Sequence, residues 1–436
     1  MRREPILAAS RNPWILKHDA LGTRMKVLII LMTLISGGMA AGSRPHKEEK
    51  FSDVIKFPLF GSEDLSLKGL FFTKIRLGSP PQELNVLVDT GSDLFWVNCP
   101  SYEEKNLSKL YKWEESVTSS PVNCSKEPCS FDMNYNDRGS ISGFYVRDVL
   151  HYDTFLRNSF SNMSTSVKFG CSTRRNAVLN DHPEVEGIMG LGPRKMSLIS
   201  QLSSLTVAPP VFTHCLASRG DGFLLLGQVL DADFTYTPII SKYRYEVALE
   251  SITINGDQLP VDPRVFSVTR LDSAAKRSLL EAETYDLLLK AVSVSVNQSW
   301  YLGPRGLPCY QVSASETFPD VHFDFHGGAS LTLKPANYLI QNIYDGKGGW
   351  CFGFLSKKNA TILGAPALSD KLVVYDLNLG RIGWADRDCS KPVNVTLTYD
   401  VLGPEPAASC ARHMGTTSAF IATAAMVFIV FHSFLF

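Results

Sequence analysis

Two acidic residues occupy corresponding places in this chain, and their surroundings could support chemistry on a water molecule. The first, Asp89, follows the apolar run Leu84–Val88 and is followed by Thr90, Gly91 and Ser92. A carboxylate at the end of a buried strand is costly unless hydrogen bonds hold it, and hydroxyls and a glycine N–H can supply them. Two such carboxylates that face each other share a proton and can activate water by general acid–base catalysis.

The second acidic turn, Asp272 to Ala275, follows another predicted strand, Val265–Leu271. An apolar-apolar-Gly unit follows each turn: Ile188–Gly190 follows the first, and Ile362–Gly364 follows the second. Roughly a hundred residues separate the acidic residue from this glycine in each half, which is too long a period for a solenoid. The spacing therefore predicts two related lobes, each of which contributes one carboxylate.

Length, composition and charge exclude several other classes of protein. A chain of 436 residues can form two lobes with sizeable cores, and its formal net charge of zero predicts no basic face for nucleic acid. Short β-rich runs between Gly and Pro turns predict a mainly β protein, with the clearest helix at Glu281–Val292. The cysteine and histidine spacings indicate no metal site, and no cofactor is expected.

An ordered set of motifs between about residues 66 and 390 resembles the pepsin-like aspartic proteases, and within them the plant nepenthesin-type and GPI-anchored branch. The matching segments are Leu70–Pro81, Asp89–Val97, Tyr135–Asp137 with Ser140–Gly143, Phe169–Cys171, Gly187–Gly192, Ser197–Leu202, Ile362–Gly364, Val373–Asp376 and Ile382–Ala385. The resemblance implies a mainly β, bilobal fold with a central cleft between two lobes related by a pseudo-twofold axis. It also implies an endopeptidase that hydrolyses polypeptides at acidic pH through a water held by Asp89 and Asp272.

The same resemblance assigns roles to residues around the two carboxyls. The residues expected to support them are Thr90, Gly91, Ser92 and Ser273. Tyr135 would lie on a flap that closes over the substrate, with Trp96 as the inward partner of its hydroxyl, although both rings could serve packing alone. Cys309 and Cys351 are the disulfide pair that the resemblance favours first.

The second turn departs from the family pattern, and the departure leaves three functions open. Ala274 and Ala275 stand where Gly and then Thr or Ser are usual, and the missing hydroxyl removes a bond to Asp272 worth about 1.5–3 kcal/mol. The chain could be an acidic endopeptidase, or a weak or inactive relative that binds a peptide or protein partner in its cleft. It could also be a structural surface protein that reuses the fold, and a splicing error at these codons would give the same sequence. The endopeptidase is the interpretation we adopt.

The two ends of the chain are predicted to be targeting segments. An apolar run preceded by Lys26 and followed by small residues is typical of a signal peptide, with Met25 as a candidate start. The predicted boundaries are 1–40 for leader and signal peptide, 41–65 for a short pro-segment or linker, 66–240 for the N-terminal lobe, 241–397 for the C-terminal lobe, 398–418 for a stalk and spacer, and 419–436 for an apolar tail.

The C-terminal tail favours a GPI-attachment signal, with a single spanning helix as the alternative. The candidate attachment residues are Ala407, Ala408 and Ser409. Cleavage there would remove Cys410 and leave eight of the nine cysteines, an even number that suits disulfides in an oxidising compartment. The candidate glycosylation sites are Asn106, Asn123, Asn162, Asn297, Asn359 and Asn394. We therefore expect a secreted, glycosylated monomer that a lipid anchor holds on the membrane or in the cell wall.

Overall fold

The computed structural model describes most of the chain between residues 54 and 391. The described ranges are 54–61, 70–101, 109–124, 127–135, 139–156, 159–176, 178–179, 182, 184–218, 220–227, 232–266, 268–312, 315–342 and 349–391. The predicted signal peptide, stalk and apolar tail lie outside these ranges. So do the predicted site residues Asn106, Asn394, Ala407, Ala408 and Ser409.

The described part of the first half is built mainly of strands. They are β1 (Val54–Gly61), β2 (Phe71–Leu77), β3 (Gln82–Asp89), β4 (Trp96–Asn98), β5 (Ser120–Pro121), β6 (Asn123–Cys124), β7 (Glu127–Pro128), β8 (Ser130–Asn134), β9 (Ser140–Leu156), β10 (Ser159–Asn176), β11 (Gly187–Gly190), β12 (Val211–Leu216), β13 (Gly222–Leu226) and β14 (Thr235–Pro238). A 3-10 turn covers Trp113–Glu115. The helix α1 (Leu198–Ser204) begins after Ser197, whose hydroxyl accepts the N–H of Ser200.

The second half repeats this preference for strands. They are β15 (Glu246–Val247), β16 (Leu249–Ile254), β17 (Asp257–Gln258), β18 (Thr269–Asp272), β19 (Leu279–Leu280), β20 (Tyr301–Leu302), β21 (Pro308–Tyr310), β22 (Val321–Phe325), β23 (Ala329–Leu333), β24 (Leu339–Gln341), β25 (Trp350–Phe352), β26 (Leu355–Ser356), β27 (Thr361–Gly364), β28 (Lys371–Asp376) and β29 (Arg381–Asp386). Its helices are α2 (Pro263–Phe266), α3 (Ala282–Ser295), α4 (Pro335–Tyr338) and α5 (Ala365–Leu368), with 3-10 turns at Pro304–Gly306 and Ser315–Thr317.

The predicted helix Glu281–Val292 corresponds to α3. Glu281 is its N-cap and accepts the N–H of Glu283, so the helix itself begins one residue later than predicted. It continues to Ser295, where the hydroxyls of Ser293 and Ser295 bond to carbonyls four residues earlier. Because these two serines are polar, the apolar pattern stopped before them, and the predicted helix ended too early.

The predicted strand before the second acidic residue is partly wrong. Val265 and Phe266 belong to the single helical turn of α2, and β18 begins only at Thr269. Pro263 starts this turn because its fixed φ suits a first helical position. The side chain of Asp262 accepts the N–H of Arg264 and stabilises the same turn. This local turn chemistry outweighs the β preference of the two apolar residues.

The two halves contain the same five-stranded arrangement. In the first half the order is β2-β3-β11-β4-β10, and in the second it is β15-β18-β27-β19-β26. The successive pairings are antiparallel, parallel, antiparallel and parallel in both. The fold is therefore mainly β and bilobal with a pseudo-twofold repeat, as the long-period pattern predicted.

One sheet contains strands from both halves. Strands β28 and β29 of the second half pair with β12 and β14 of the first, and the sheet continues through β13 and β1 to β2. The core residues of the two halves form one continuous apolar cluster that includes Phe212, Tyr245 and Tyr375. The two acidic turns are thus carried by a common, packed framework.

Strand β1 lies within residues 41–65, the segment that the sequence predicts to be a short pro-segment or linker. Val54–Gly61 pairs with β13, β2 and β9. Ile55, Phe57 and Leu59 alternate toward the core and are buried. This two-residue alternation is the signal of a half-buried strand, and the charged residues just before it obscured the pattern.

Eight cysteines form four disulfides within the described residues. They are Cys99–Cys171, Cys124–Cys129, Cys215–Cys389 and Cys309–Cys351. The last pair, favoured by the resemblance, is confirmed and joins neighbouring antiparallel strands β21 and β25. Disulfides are typical of proteins that fold in an oxidising compartment.

Glu186 connects the strand that carries the first acidic residue to its parallel neighbour. It directly precedes β11, and its carboxylate accepts the N–H of Asn85 on β3 at 2.6 Å. The residue is only 5% exposed. Burial raises the pKa of the Glu186 carboxyl, against smaller lowering effects of the Asn85 hydrogen bond and Lys109.

We expect Glu186→Gln to stabilise the protein at neutral pH more than at acidic pH. Because the folded pKa is raised, the stability linked to the protonated carboxyl is complete below about pH 4.3 and is lost as the pH rises through the folded pKa. Glutamine can accept the Asn85 N–H at every pH. Scanning calorimetry should give a Tm about 2–4 °C above wild type at neutral pH and little difference at low pH.

The exposed carboxyl of Glu83 on β3 provides the control for this comparison. Glu83→Gln removes one negative charge from the same strand pair without affecting a buried group. A Tm difference for Glu186→Gln that is the same at both pH values would contradict the assignment.

Candidate active site

The first acidic turn begins where β3 ends. Asp89 lies opposite Gly190 in the parallel β3–β11 pair. Its two carboxyl oxygens accept the N–H of Gly91 at 2.7 Å and the hydroxyl of Ser92 at 2.6 Å. Asp89 is 1% exposed, so these bonds supply part of the polar environment that a buried carboxyl requires.

The second acidic turn has the same strand pairing and the same backbone hydrogen bond to its carboxyl as the first. Asp272 ends β18 opposite Gly364 in the parallel β18–β27 pair and is 6% exposed. Its Oδ1 accepts the N–H of Ala274 at 3.0 Å, as Asp89 accepts that of Gly91. Ala275 occupies the place of Ser92 and carries a methyl group where the first turn has a hydroxyl donor.

Four hydrogen bonds join the two turns in a nearly symmetric way. The N–H of Thr90 donates to Ser273 Oγ at 3.0 Å, and the N–H of Ser273 donates to Thr90 Oγ1 at 2.9 Å. The Ser273 hydroxyl donates to the Val88 carbonyl at 2.8 Å, and that of Thr90 donates to the Leu271 carbonyl at 3.3 Å. Both hydroxyl residues are fully buried. The structure thus brings together the supporting residues that were predicted in separate halves of the sequence.

The Asp272 carboxyl lies against Gly91 of the first turn. A Cβ atom added to Gly91 would lie 2.6 Å from both Cγ and Oδ2 of Asp272. The carboxyl of Asp272 therefore packs against the residue whose N–H holds Asp89. Glycine is required at this position because any side chain would occupy the space of the second carboxyl.

The corresponding residue of the second turn is Ala274, and its methyl group has a place in the packing. Ala274 is 2% exposed and belongs to an apolar cluster of first-half residues that includes Leu94, Trp96 and Ile188. The departure from the family pattern at this position therefore adds an apolar group to the contact between the lobes.

Tyr135 and Trp96 meet beside this cluster. The β8–β9 hairpin is closed by the Tyr135 N–H, which donates to the Gly139 carbonyl at 2.7 Å. Trp96 Nε1–H donates to the Tyr135 hydroxyl at 2.8 Å. Trp96 is completely buried and Tyr135 is half-buried.

A third acidic side chain, Asp93, lies next to the first turn. Its Oδ1 accepts the N–H of Arg194 at 3.0 Å, and a Cβ added to Gly192 would lie 2.4 Å from the same oxygen. Burial raises the pKa of the Asp93 carboxyl, and the Arg194 hydrogen bond opposes this shift. The Asp93 carboxyl is thus held by the backbone of Arg194, whereas the Asp89 carboxyl is held by Gly91 and Ser92.

Two buried residues near the site were not predicted from the sequence. Tyr375 on β28 and His214 on β12 are both completely buried, and the Tyr375 hydroxyl lies 3.3 Å from Nε2 of His214. Both residues lie on strands that are buried along nearly their whole length. A polar atom within a fully buried strand is a signal that could have drawn attention to them.

The glycosylation candidates that the structure describes are all exposed. Asn123 lies on β6, Asn162 on β10, Asn297 just after α3, and Asn359 in the turn before β27. The side-chain amide of Asn162 also donates to Asp153 at 3.0 Å. A glycan on any of the four would project into solvent.

Neither a metal cluster nor a membrane-spanning helix occurs in the described part of the chain. Among the described residues, no cluster of three or more His, Cys, Asp or Glu side chains could hold a metal ion. None of the helices described between residues 54 and 391 reaches the length and apolar character of a membrane span.

Comparison with known proteins identifies the family. The profile described as "Xylanase inhibitor N-terminal" matches residues 71–228, and that described as "Xylanase inhibitor C-terminal" matches residues 244–386. Aspartic proteinase 36 of Arabidopsis thaliana is 30% identical over 424 residues, which cover 87% of each chain. The chain belongs to the plant pepsin-like aspartic proteases.

Other members of this plant aspartic protease family show a similar extent of similarity. Aspartic proteinase 39 of Arabidopsis thaliana is 31% identical over 377 residues, covering 78% of this chain and 79% of its own. The protein named "Aspartic protease in guard cell 2", also of Arabidopsis thaliana, is 27% identical over 380 residues, covering 76% of each chain. The family supports an aspartic-type peptidase that acts on polypeptides, and its pepsin-like fold agrees with the two strand repeats.

Proposed function

We propose that the protein is an aspartic endopeptidase that hydrolyses polypeptides at acidic pH, with Asp89 and Asp272 as the catalytic pair. The observation that carries the proposal is the reciprocal hydrogen bonding of Thr90 and Ser273, which joins the two acidic turns. The contact of the Asp272 carboxyl with Gly91 supports it further. These contacts support the close approach of the two carboxyls that shared acid–base chemistry requires.

The reaction proceeds through a water molecule held between the carboxyls. Two neighbouring carboxyls resist double ionisation, so the pair holds one proton over an acidic pH range. The ionised member takes a proton from the water, which attacks the scissile carbonyl carbon. The protonated member donates its proton to the carbonyl oxygen, and no covalent intermediate with the protein forms. Titration of a coupled pair belongs to both residues, so Asp89 and Asp272 are not given fixed roles.

The β8–β9 hairpin acts as the flap over the substrate. The hydrogen bond from Trp96 fixes the Tyr135 hydroxyl inward and leaves the ring to cover the cleft. Closure of such a hairpin excludes water from the reacting groups. An extended peptide would bind by backbone hydrogen bonds, with side-chain pockets setting the sequence preference.

The test is an assay of the full-length secreted protein on acid-denatured haemoglobin. We expect internal cleavage near pH 4, little cleavage near neutral pH, and inhibition by pepstatin, whose statine hydroxyl mimics the attacking water. Mass spectrometry of the fragments distinguishes endopeptidase from exopeptidase products. Pepstatin-insensitive cleavage, or peptide binding without any cleavage at acidic pH, would overturn the proposal.

Adding a hydroxyl to the second turn is expected to raise the activity. In the first turn the Ser92 hydroxyl donates to Asp89, whereas Ala275 offers no such donor. Ala275→Ser supplies a hydrogen bond to a carboxylate, for which about 1.5–3 kcal/mol is typical, and we expect about a tenfold rise in kcat/KM. A donor favours the ionised form, so the acid limb of the pH–rate profile should move to lower pH.

Ala329→Ser is the matched control, because Ala329 is a buried alanine on β23 in the second lobe. It adds the same hydroxyl outside the two turns and should leave kcat/KM and the pH profile unchanged. Equal rates for Ala275→Ser and wild type would show that the missing hydroxyl does not limit the reaction.

The proposal includes a location outside the cell. The four disulfides support folding in the secretory pathway, and the exposed asparagines offer sites for glycans. We propose that the protein is a monomer held by a lipid anchor at the outer face of the plasma membrane or in the cell wall.

A further inference from the structure

Each half places a row of four cross-strand partners next to its acidic turn. The first row, in the first half, consists of Phe72, Leu87, Ile188 and Trp96. The second row, in the second half, consists of Glu246, Arg270, Ile362 and Leu279. Leu87 and Arg270 each lie two residues before the acidic residue of their strand. Alternate residues of a strand share a face and lie about 7 Å apart, so Arg270 lies on the face that carries the Asp272 carboxyl.

The first row is apolar and covered by other residues of the first half. Leu87, Ile188 and Trp96 are buried and belong to one apolar cluster. Residues of the β8–β9 hairpin, including Phe131 and Ile141, complete that cluster. In the first half this row is therefore part of the core.

The second row has a charged pair where the first row is apolar. Arg270 occupies the place of Leu87, and Glu246 occupies that of Phe72. A terminal nitrogen of Arg270 donates to Oε1 of Glu246 at 3.3 Å, and 25% and 19% of the two side chains remain exposed. An ion pair thus replaces two apolar side chains beside Asp272, and it stays accessible to solvent.

Glu246 does not use all the donors of the Arg270 guanidinium, which has five N–H groups in a planar fork. Within the described part of the chain, Glu246 is the one acceptor that hydrogen-bonds to Arg270, and the Arg270 Nε–H is buried without an acceptor. The 3.3 Å bond is also longer than the about 2.7–2.9 Å that is typical of charge-assisted hydrogen bonds. Because Arg270 is partly exposed, its other terminal N–H groups can take a second acceptor.

We propose that Arg270 is a specificity-determining residue that selects polypeptides with an acidic side chain close to the bond that is cut. The inference rests on the proposed function, because that function places the substrate against both acidic turns. A substrate bound across Asp272 passes the second row, which lies two residues away on the same face of β18. The carboxylate of a substrate glutamate would accept a pair of N–H bonds from the guanidinium.

The rest of the second row fits the other parts of such a side chain. Ile362 and Leu279 are apolar and partly exposed, so they can contact the CH₂ groups of a glutamate. An apolar substrate side chain would instead take water away from Arg270 and Glu246 without replacing its hydrogen bonds. A lysine would be repelled by Arg270 and would find the Glu246 carboxylate already paired.

The test measures the selectivity of the full-length secreted protein with peptides that differ at one residue. A haemoglobin peptide that the wild type cuts is synthesised with Glu, Gln, Leu or Lys at each of the two residues before and the two residues after the cut bond. The assay is run at about pH 5, where a substrate glutamate is mostly ionised. We expect one position at which kcat/KM is about tenfold higher for Glu than for Leu, with Gln between them and Lys lowest.

Two variants are expected to change this selectivity in opposite directions. Arg270→Met keeps the length of the side chain and removes the guanidinium, so the Glu-to-Leu ratio of kcat/KM should fall about tenfold, to near one. Glu246→Gln removes a carboxylate that repels the substrate glutamate, so the ratio should rise about threefold. A pair that only stabilises the protein would lower the rates on all peptides alike, and unchanged ratios in both variants would overturn the inference.

Arg76→Met is the matched control, because Arg76 on β2 forms a partly exposed ion pair with Asp153 at 2.9 Å. It removes the same group outside the second row and should keep the wild-type ratio. If Arg270→Met does not fold, the absence of a rise in Glu246→Gln overturns the inference. An inactive wild type would remove the proposed function together with this inference. An active wild type that cuts the Glu and Leu peptides equally well would remove the inference alone.

Discussion

Asp89→Asn is expected to lower kcat/KM by roughly 10²–10⁴, the range that positioned acid–base groups contribute. Asparagine has nearly the same volume and can still accept the N–H of Gly91. It cannot take a proton from water, and it cannot share a proton with the Asp272 carboxyl. The folded structure should therefore survive while the reaction stops, and Asp272→Asn should have an effect of similar size.

The measurement is cleavage of acid-denatured haemoglobin over a range of acidic pH, with thermal unfolding recorded for each variant. Asp324→Asn is the control, because Asp324 also accepts hydroxyl hydrogen bonds, from Ser251 at 3.0 Å and Thr253 at 3.2 Å. Its position on β22 is remote from the turns in sequence and sheet. Activity of Asp89→Asn near that of Asp324→Asn would exclude the proposed pair.

Gly91→Ala is expected to lower kcat by at least about 10² through displacement of the second carboxyl. The added Cβ would lie 2.6 Å from Asp272 Oδ2, and real Cβ atoms do not approach an oxygen so closely. Either the carboxyl moves or the turn does, and each change alters the distance between Asp89 and Asp272. Because the variant alters the site directly, binding of pepstatin should weaken in parallel, which isothermal titration calorimetry can measure.

Gly380→Ala separates this effect from a general loss of stability. Gly380 has a φ of 62° and no heavy atom within 4 Å of an added Cβ. Alanine there strains the backbone and lowers the Tm, but should keep kcat and pepstatin affinity. Gly91→Ala with full activity would show that the carboxyls do not meet across this glycine.

The sequence predicted those parts of the site that lie on strands with a strong apolar pattern that is repeated in both halves. The repeat of an acidic turn followed by an apolar-apolar-Gly unit predicted two related lobes, and in the structure Asp89 lies opposite Gly190 and Asp272 opposite Gly364. These segments could be predicted from the sequence because each combines a buried strand with a turn that requires particular residue types.

Other features could not be predicted because they depend on which strands become neighbours. Tyr375 and His214 are 161 residues apart, and only the pairing of β28 with β12 brings the Tyr375 hydroxyl next to the His214 ring. Burial of Ala274 in a first-lobe cluster likewise depends on how the lobes meet. Strand β1 and helix α2 were missed for a local reason, since charged neighbours and turn chemistry outweighed the apolar pattern.

The Cys215–Cys389 disulfide spans 174 residues and closes a loop that contains nearly the whole second lobe. A single backbone break anywhere inside that loop leaves both fragments covalently attached. An enzyme of this kind that nicks itself, or is nicked by another, would still migrate as one species in a gel until a reducing agent is added. Processing of the second lobe can therefore go unnoticed in non-reducing electrophoresis, although new chain ends have formed.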